Sequence, residues 1–256
     1  GVSYRHILVC KNKTPKIKTT PPHDILDKNI KEFLPTGDDS KDIISIMNKV
    51  KVSIENFKIQ NPQFKTEKLS DIWLWGEGKK TILPSFKELT GYSGSVISAV
   101  DLVKGIGKCA KLNVIDVPGA TGYLDTNYKG KVDASVKSLL NNQFLMLHIE
   151  APDETGHEGD IKKKIKAIED LDSKVLKPLI KGLDLNFSEY RLCIVSDHPT
   201  PIELRTHSYE YVPYLIYQKG INLQNHTFKS FSEKIVENSN NVIHDGHDLI
   251  FSLINN

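Results

Sequence analysis

Residues 143–180, QFLMLHIEAPDETGHEGDIKKKIKAIEDLDSKVLKPLI, decide the fold. The stretch opens on QFLMLHI (143–149), an unbroken apolar run of strand length. Such a run suits a strand covered on both faces rather than one with a wet side. A polar, glycine-containing loop with Glu150, Asp153, Glu154 and His157 comes next, and then a helix predicted over 160–181. In that helix Ile161, Ile165, Ile168, Val175, Leu176 and Leu179 recur at three- and four-residue spacing. Asp160 supplies a capping side chain and Gly182 follows the end.

The same alternation extends to both sides. RHILVC (5–10), DIWLW (71–75), SVISA (95–99), NVIDV (113–117), LCIVS (192–196) and VPYLIY (212–217) read as strands, with helices over 41–58 and 130–140. Strands alternating with helices predict an α/β layered fold around a largely parallel sheet. The first seventy residues differ in texture. KNKTPKIKTTPPHD (11–24) is a Lys-, Thr- and Pro-rich loop, and NPQFKTEKLS (61–70) is a polar connection. A domain boundary is therefore expected within 61–94, dividing the chain into 1–70 and 71–256.

Composition excludes several classes. The 34 Lys+Arg against 32 Asp+Glu leave a net charge of +2, too small for a nucleic-acid or membrane-surface footprint. No apolar run approaches the roughly 20 residues of a membrane span. Cys10, Cys109 and Cys193 lack paired spacing, which argues against both a disulfide framework and a thiolate zinc site. Cys10 and Cys193 lie in apolar runs and are expected to be buried free thiols in a reducing compartment, the cytoplasm. The opening GVSYRHILVC stands one Tyr-Arg short of an apolar strand and reads as cut.

Two segments carry chemistry, HIEAPDETGHEGD (148–160) and VSDHPTPIELRTH (195–207), each following a predicted core strand. In a parallel α/β sheet, ligands bind where loops leave the carboxyl ends of strands. Asp153, His157, Asp197, His198 and His207 are therefore expected to form one cluster. Any one of them alone would ordinarily be a solvated loop residue, and it is their joint placement after two strands that points to a metal. Carboxylate and imidazole donors without thiolate suit Mn, Mg or Zn. Five donors exceed the three that one catalytic ion usually takes, so two divalent ions about 3.5–4 Å apart are expected. Arginine occurs only at Arg5, Arg191 and Arg205. As Arg is the better bidentate phosphate clamp, Arg5 and Arg205 are candidate substrate contacts.

These motifs, together with IWLWGEG (72–78) and SVISAVDLVKGIGKCAKLNVIDVPGATGYLDTNYKGK (95–131), resemble the archaeal-type cofactor-independent phosphoglycerate mutases of the alkaline phosphatase superfamily. The resemblance covers nearly the whole chain, loosely in the first thirty residues. It implies an alkaline-phosphatase-like three-layer sandwich, with 1–70 as the remnant of an inserted α/β substrate domain. Asp153, His157 and His207 would then hold one ion, and Asp197 and His198 the other. The activity implied is interconversion of 3- and 2-phosphoglycerate through a phospho-enzyme. Substrate contacts would fall to Arg5, His23, Asp24 and Arg205.

In that family the Ser or Thr nucleophile and one further Asp ligand lie in an N-terminal segment, and no such segment is found here. The chain is accordingly expected to be the C-terminal portion, with no nucleophile identified and no activity alone. A sheet lacking its first strand would favour self-association. Two other readings stand beside this one. The first is a homoserine-kinase-like phosphotransferase or phosphatase on the same fold. The second is a non-catalytic metal-binding half that pairs with a separate subunit.

Overall fold

The computed structural model describes residues 6–11, 16–25, 28–221 and 230–255, without the side chain of His23. The chain divides into two compact units between Thr81 and Ile82. In the first, helix α1 (Ser40–Gln60) buries Ile43 and Met47, one turn apart. Lys18 and Thr36 exchange backbone hydrogen bonds at 2.8 and 3.0 Å, and the Trp73 indole donates to Thr20 O at 2.7 Å. Neither 6–10 nor 71–75 joins a ladder, contrary to the strands expected there. An apolar run becomes a strand only when a neighbour satisfies its backbone donors and acceptors. Cys10 is consequently exposed, not buried.

The second unit holds the α/β fold, and its elements follow in order. They are α2 (Phe86–Thr90), β1 (Gly94–Ile97), α3 (Asp101–Cys109), β2 (Asn113–Ile115), α4 (Tyr128–Leu139) and β3 (Phe144–Leu147). Next come α5 (Ala151–Glu158), α6 (Ile161–Asp170), α7 (Lys177–Asn186), β4 (Arg191–Val195), β5 (Tyr214–Gln218), α8 (Lys234–Asn238) and α9 (Asp248–Asn255). Strands β2, β1 and β3 form a parallel sheet in that order. Val96 stands opposite Val114 on one side and Met146 on the other. Central β1 is buried along its whole length, as a doubly covered strand requires. The run 212–217 supplies β5, which pairs antiparallel with β4, Cys193 opposite Ile216. An unbroken apolar run carries no information about strand direction.

The main core lies where α4 and α7 meet, around Tyr128, Val132, Val175, Leu179 and Leu183, with Leu147, Ile149 and Leu192 packed against it. The helix predicted over 160–181 continues to Asn186, with one wide π-helical turn at Leu171–Leu176. Gly182 does not end it. A Cβ there would lie 2.7 Å from Val136 Cγ2, so this glycine admits close approach of α7 to α4. The π turn also shifts the helix phase. Ile161, Ile165 and Ile168, expected in the core, are 59%, 50% and 54% exposed, and Ala167 and Asp170 are buried instead. Among the described residues, no helix is long and apolar enough to cross a membrane.

Candidate metal centre

The segment read as a polar loop is a helix. Three residues separate β3 from α5, and Pro152 occupies the first turn of α5, where its missing N–H costs nothing. Gly159, with φ of 71°, closes the helix in the left-handed conformation. Asp160 then caps α6 by accepting from Lys162 N and Lys163 N at 3.0 and 3.1 Å. Helical spacing places Asp153 and His157 on one face, with His157 Nε2 3.3 Å from Asp153 Oδ2.

The connection from β4 to β5 brings the remaining donors. His207 Nε2 lies 3.5 Å from Asp153 Oδ1 and 3.1 Å from His157 Nε2. Donor atoms of Asp153, His157 and His207 fall within 4.8 Å of one another, a group able to hold a metal ion. The His198 ring stacks on His207 with centroids 3.6 Å apart, and its Nδ1 is 3.9 Å from Asp153 Oδ1. Asp197 is not drawn in: its side chain is 88% exposed, 3.7 Å from His198 Nε2. Arg5 lies outside the described residues. His23 and Asp24 fall in a short turn of the first unit (Pro22–Ile25), where Asp24 is exposed.

Neighbours of the three donors fix their chemistry. His157 Nδ1 is 3.0 Å from Arg205 O, and a carbonyl only accepts, so Nδ1 carries the hydrogen. The Nε2 lone pair then faces the cluster, the tautomer a metal ligand needs. Two imidazole nitrogens and a carboxylate converging at these distances match the donor set of a borderline divalent cation. The buried Thr200 hydroxyl donates to Asp153 Oδ1 and lies 3.3 Å from His198 Nδ1. Thr200 O in turn accepts from Lys164 Nζ at 2.6 Å, and burial holds the Lys164 ammonium below its ordinary pKa. Composition and spacing gave no sign of Thr200. A hydroxyl residue between two ligands of one loop was the available clue.

Arg205, expected as a phosphate clamp through its side chain, also acts through its backbone. Its φ of 53° is left-handed, costly for a residue with a Cβ, and this turn delivers its carbonyl to His157. Its guanidinium runs beside Gly159, where an added Cβ would lie 2.5 Å from Nε. Arg205→Gly should therefore keep metal affinity within about threefold. Arg205→Val, which resists positive φ, should lose about 10–100-fold, the usual cost of a displaced outer partner. Calorimetric titration of both variants checks this.

An α/β fold whose strand-end helix and loop converge a carboxylate with imidazoles is built for work with a divalent cation. The chain belongs to the Metalloenzyme superfamily, whose family model matches residues 20–241. It is 44% identical to the 2,3-bisphosphoglycerate-independent phosphoglycerate mutase of Methanothrix thermoacetophila and 39% identical to that of Methanosarcina acetivorans. Each match takes in 99% of this chain, and the chain spans 64% of each relative's length. The solved structure of the PH0037 protein from Pyrococcus horikoshii shares the fold, with a TM-score of 0.57 at 25% identity. That match covers 71% of this chain and 49% of the other.

Proposed function

We propose that the chain carries the cation-binding part of a metal-dependent phosphoglycerate mutase, which interconverts 3- and 2-phosphoglycerate. The observation that carries this reading is the convergence of Asp153, His157 and His207 from two strand ends, in a chain whose relatives bear that enzyme's name. In this reading the second unit is the metal-binding, phosphatase-like domain. The first unit is part of an inserted substrate-binding domain, to which His23, Asp24 and Arg5 would contribute.

Asp153, His157 and His207 would hold one ion, and His198 with Asp197 a second, as Mn, Mg or Zn. A divalent cation so held supplies positive charge to the non-bridging oxygens of a phosphoryl group in transfer. The chain's own residues keep the donors ready. Thr200 pins the Asp153 carboxylate, the Arg205 carbonyl fixes the His157 tautomer, and Lys164 ties the β4–β5 connection to α6.

Metal-free chain titrated with Mn²⁺ should bind it stoichiometrically. His157→Ala should weaken that binding by more than about 100-fold, beyond what an outer partner costs. His247→Ala, at an exposed residue outside the three-donor group, should leave it unchanged. Equal effects at the two positions would overturn the assignment. With a polypeptide supplying the rest of a relative's length, the wild-type chain should convert 3-phosphoglycerate to 2-phosphoglycerate. Conversion of a different phosphate ester alone would favour the phosphotransferase reading.

A further inference from the structure

A second polar cluster lies at the same edge of the sheet, built from residues that the metal centre does not use. Ser98 follows β1 and is only 3% exposed. Its Oγ accepts from Val100 N at 2.9 Å and lies 3.0 Å from His148 Nδ1. His148 follows β3, and its Nε2 lies 3.1 Å from Glu150 Oε2. The direction of each bond can be deduced. An ionised carboxylate only accepts, so the His148 hydrogen that faces Glu150 sits on Nε2. In a neutral ring Nδ1 is then bare and accepts the Ser98 hydroxyl hydrogen, while Val100 N–H takes one of the two lone pairs of Oγ. Burial lowers the basicity of His148, which favours this neutral ring.

The chain of bonds ends on Glu150; its side chain and that of His148 are both partly open, and Ser98 behind them is buried. Lys131, 1% exposed, lies close enough for the Glu150 charge to oppose the loss of basicity that burial imposes on its ammonium. Lys131 Nζ reaches Thr121 O at 3.3 Å, and Gly122 of that loop passes the Glu150 stem. Glu150 O accepts from Asp153 N at 2.8 Å, so the carboxylate leaves the corner that launches the metal-binding face of α5. With Oε2 taken by His148, Oε1 remains the open acceptor among the described residues. An acceptor held this way selects a hydrogen-bond donor, and beside a centre that draws in a phosphoryl group the matching donor is a substrate hydroxyl.

Resting on the function proposed above, we infer that Ser98 and His148 are positioning residues that aim Glu150 at a hydroxyl of the phosphorylated substrate. The test uses the full chain loaded with Mn²⁺ and titrated with 3-phosphoglycerate and with its analogue lacking the C2 hydroxyl. The wild type should prefer the hydroxyl-bearing ligand by at least about tenfold, the value of a hydrogen bond to a charged group. Glu150→Ala should bring that ratio near one, and Glu150→Gln, which keeps the side-chain volume, should lower it severalfold. Ser98→Ala should give an intermediate ratio. Nitrogen NMR of the wild-type imidazoles should show His148 bare at Nδ1 and protonated at Nε2.

Failure of Mn²⁺ to bind at all would sink the metal assignment instead. With Mn²⁺ bound, an unchanged ratio in Glu150→Ala, or no binding of either ligand to the wild type, overturns the inference. So does a loss of Mn²⁺ affinity in Glu150→Ala, which would make Glu150 a cation ligand.

Discussion

Asp153→Ala should abolish stoichiometric metal uptake, lowering affinity by well over the roughly 100-fold that an outer partner costs. Asp153 reaches all three imidazoles of the cluster and a buried hydroxyl. Its carboxylate lies 3.3 Å from His157 Nε2, 3.5 Å from His207 Nε2 and 3.9 Å from His198 Nδ1, and accepts from Thr200. Removing it takes away the only anion of the three-donor group and the atoms that organise the imidazoles. It also leaves the buried Thr200 hydroxyl without its acceptor, at a cost of about 1–3 kcal/mol even without metal. Asp153→Asn separates the two effects. An amide oxygen still satisfies Thr200, so stability should largely return while metal affinity stays low. Elemental analysis with thermal unfolding of the metal-free proteins checks both, and full metal retention in Asp153→Ala would refute the centre.

Gly156→Ala should be the second large effect, with a sign opposite to helix propensity. Replacing a glycine within a helix by alanine ordinarily gains about 1 kcal/mol. Gly105 in α3 should behave so, as nothing lies within 4 Å of an added Cβ there. At Gly156 the new atom would stand 2.6 Å from Thr200 O and 2.9 Å from both Thr200 Cγ2 and Lys164 Nζ. A backbone oxygen cannot rotate aside, so the β4–β5 connection must move and carry His198 and His207 with it. The expected loss is about 1–3 kcal/mol, the usual range for overpacking. Metal affinity should fall with it by at least about tenfold. Denaturant unfolding of Gly156→Ala beside Gly105→Ala provides the comparison.

The alternation of strands and helices was legible because SVISA, NVIDV and QFLMLHI are unbroken apolar runs, although of the three strands only β1 is buried throughout and Met146 of β3 is 43% exposed. The pairing of Asp153 with His157 was legible as spacing, but not as a helix. Pro152 and Gly156 look like loop residues until the first is placed in a first turn and the second against Thr200. RHILVC and DIWLW have strand composition, yet ladder partners depend on neighbours that composition cannot identify. Asp197 stays within 3.7 Å of His198 Nε2 yet is 88% exposed and outside the three-donor group, a difference in burial that the adjacent letters do not encode. His148, near the end of the run 143–149, joins Glu150 and also Ser98, the latter a meeting across 50 positions that no local pattern encodes.

The wide turn at Leu171–Leu176 separates two obligations within one continuous rod. Beyond it, α7 answers to the interior through Leu179 and Leu183, whereas ahead of it α6 is steered by the grip of Lys164 on Thr200. A strict α-helix would force both alignments to share one angular setting. The joint at 171–176 lets each half adopt its own, so repacking around α7 can drift over generations without misaiming the loop that α6 supports.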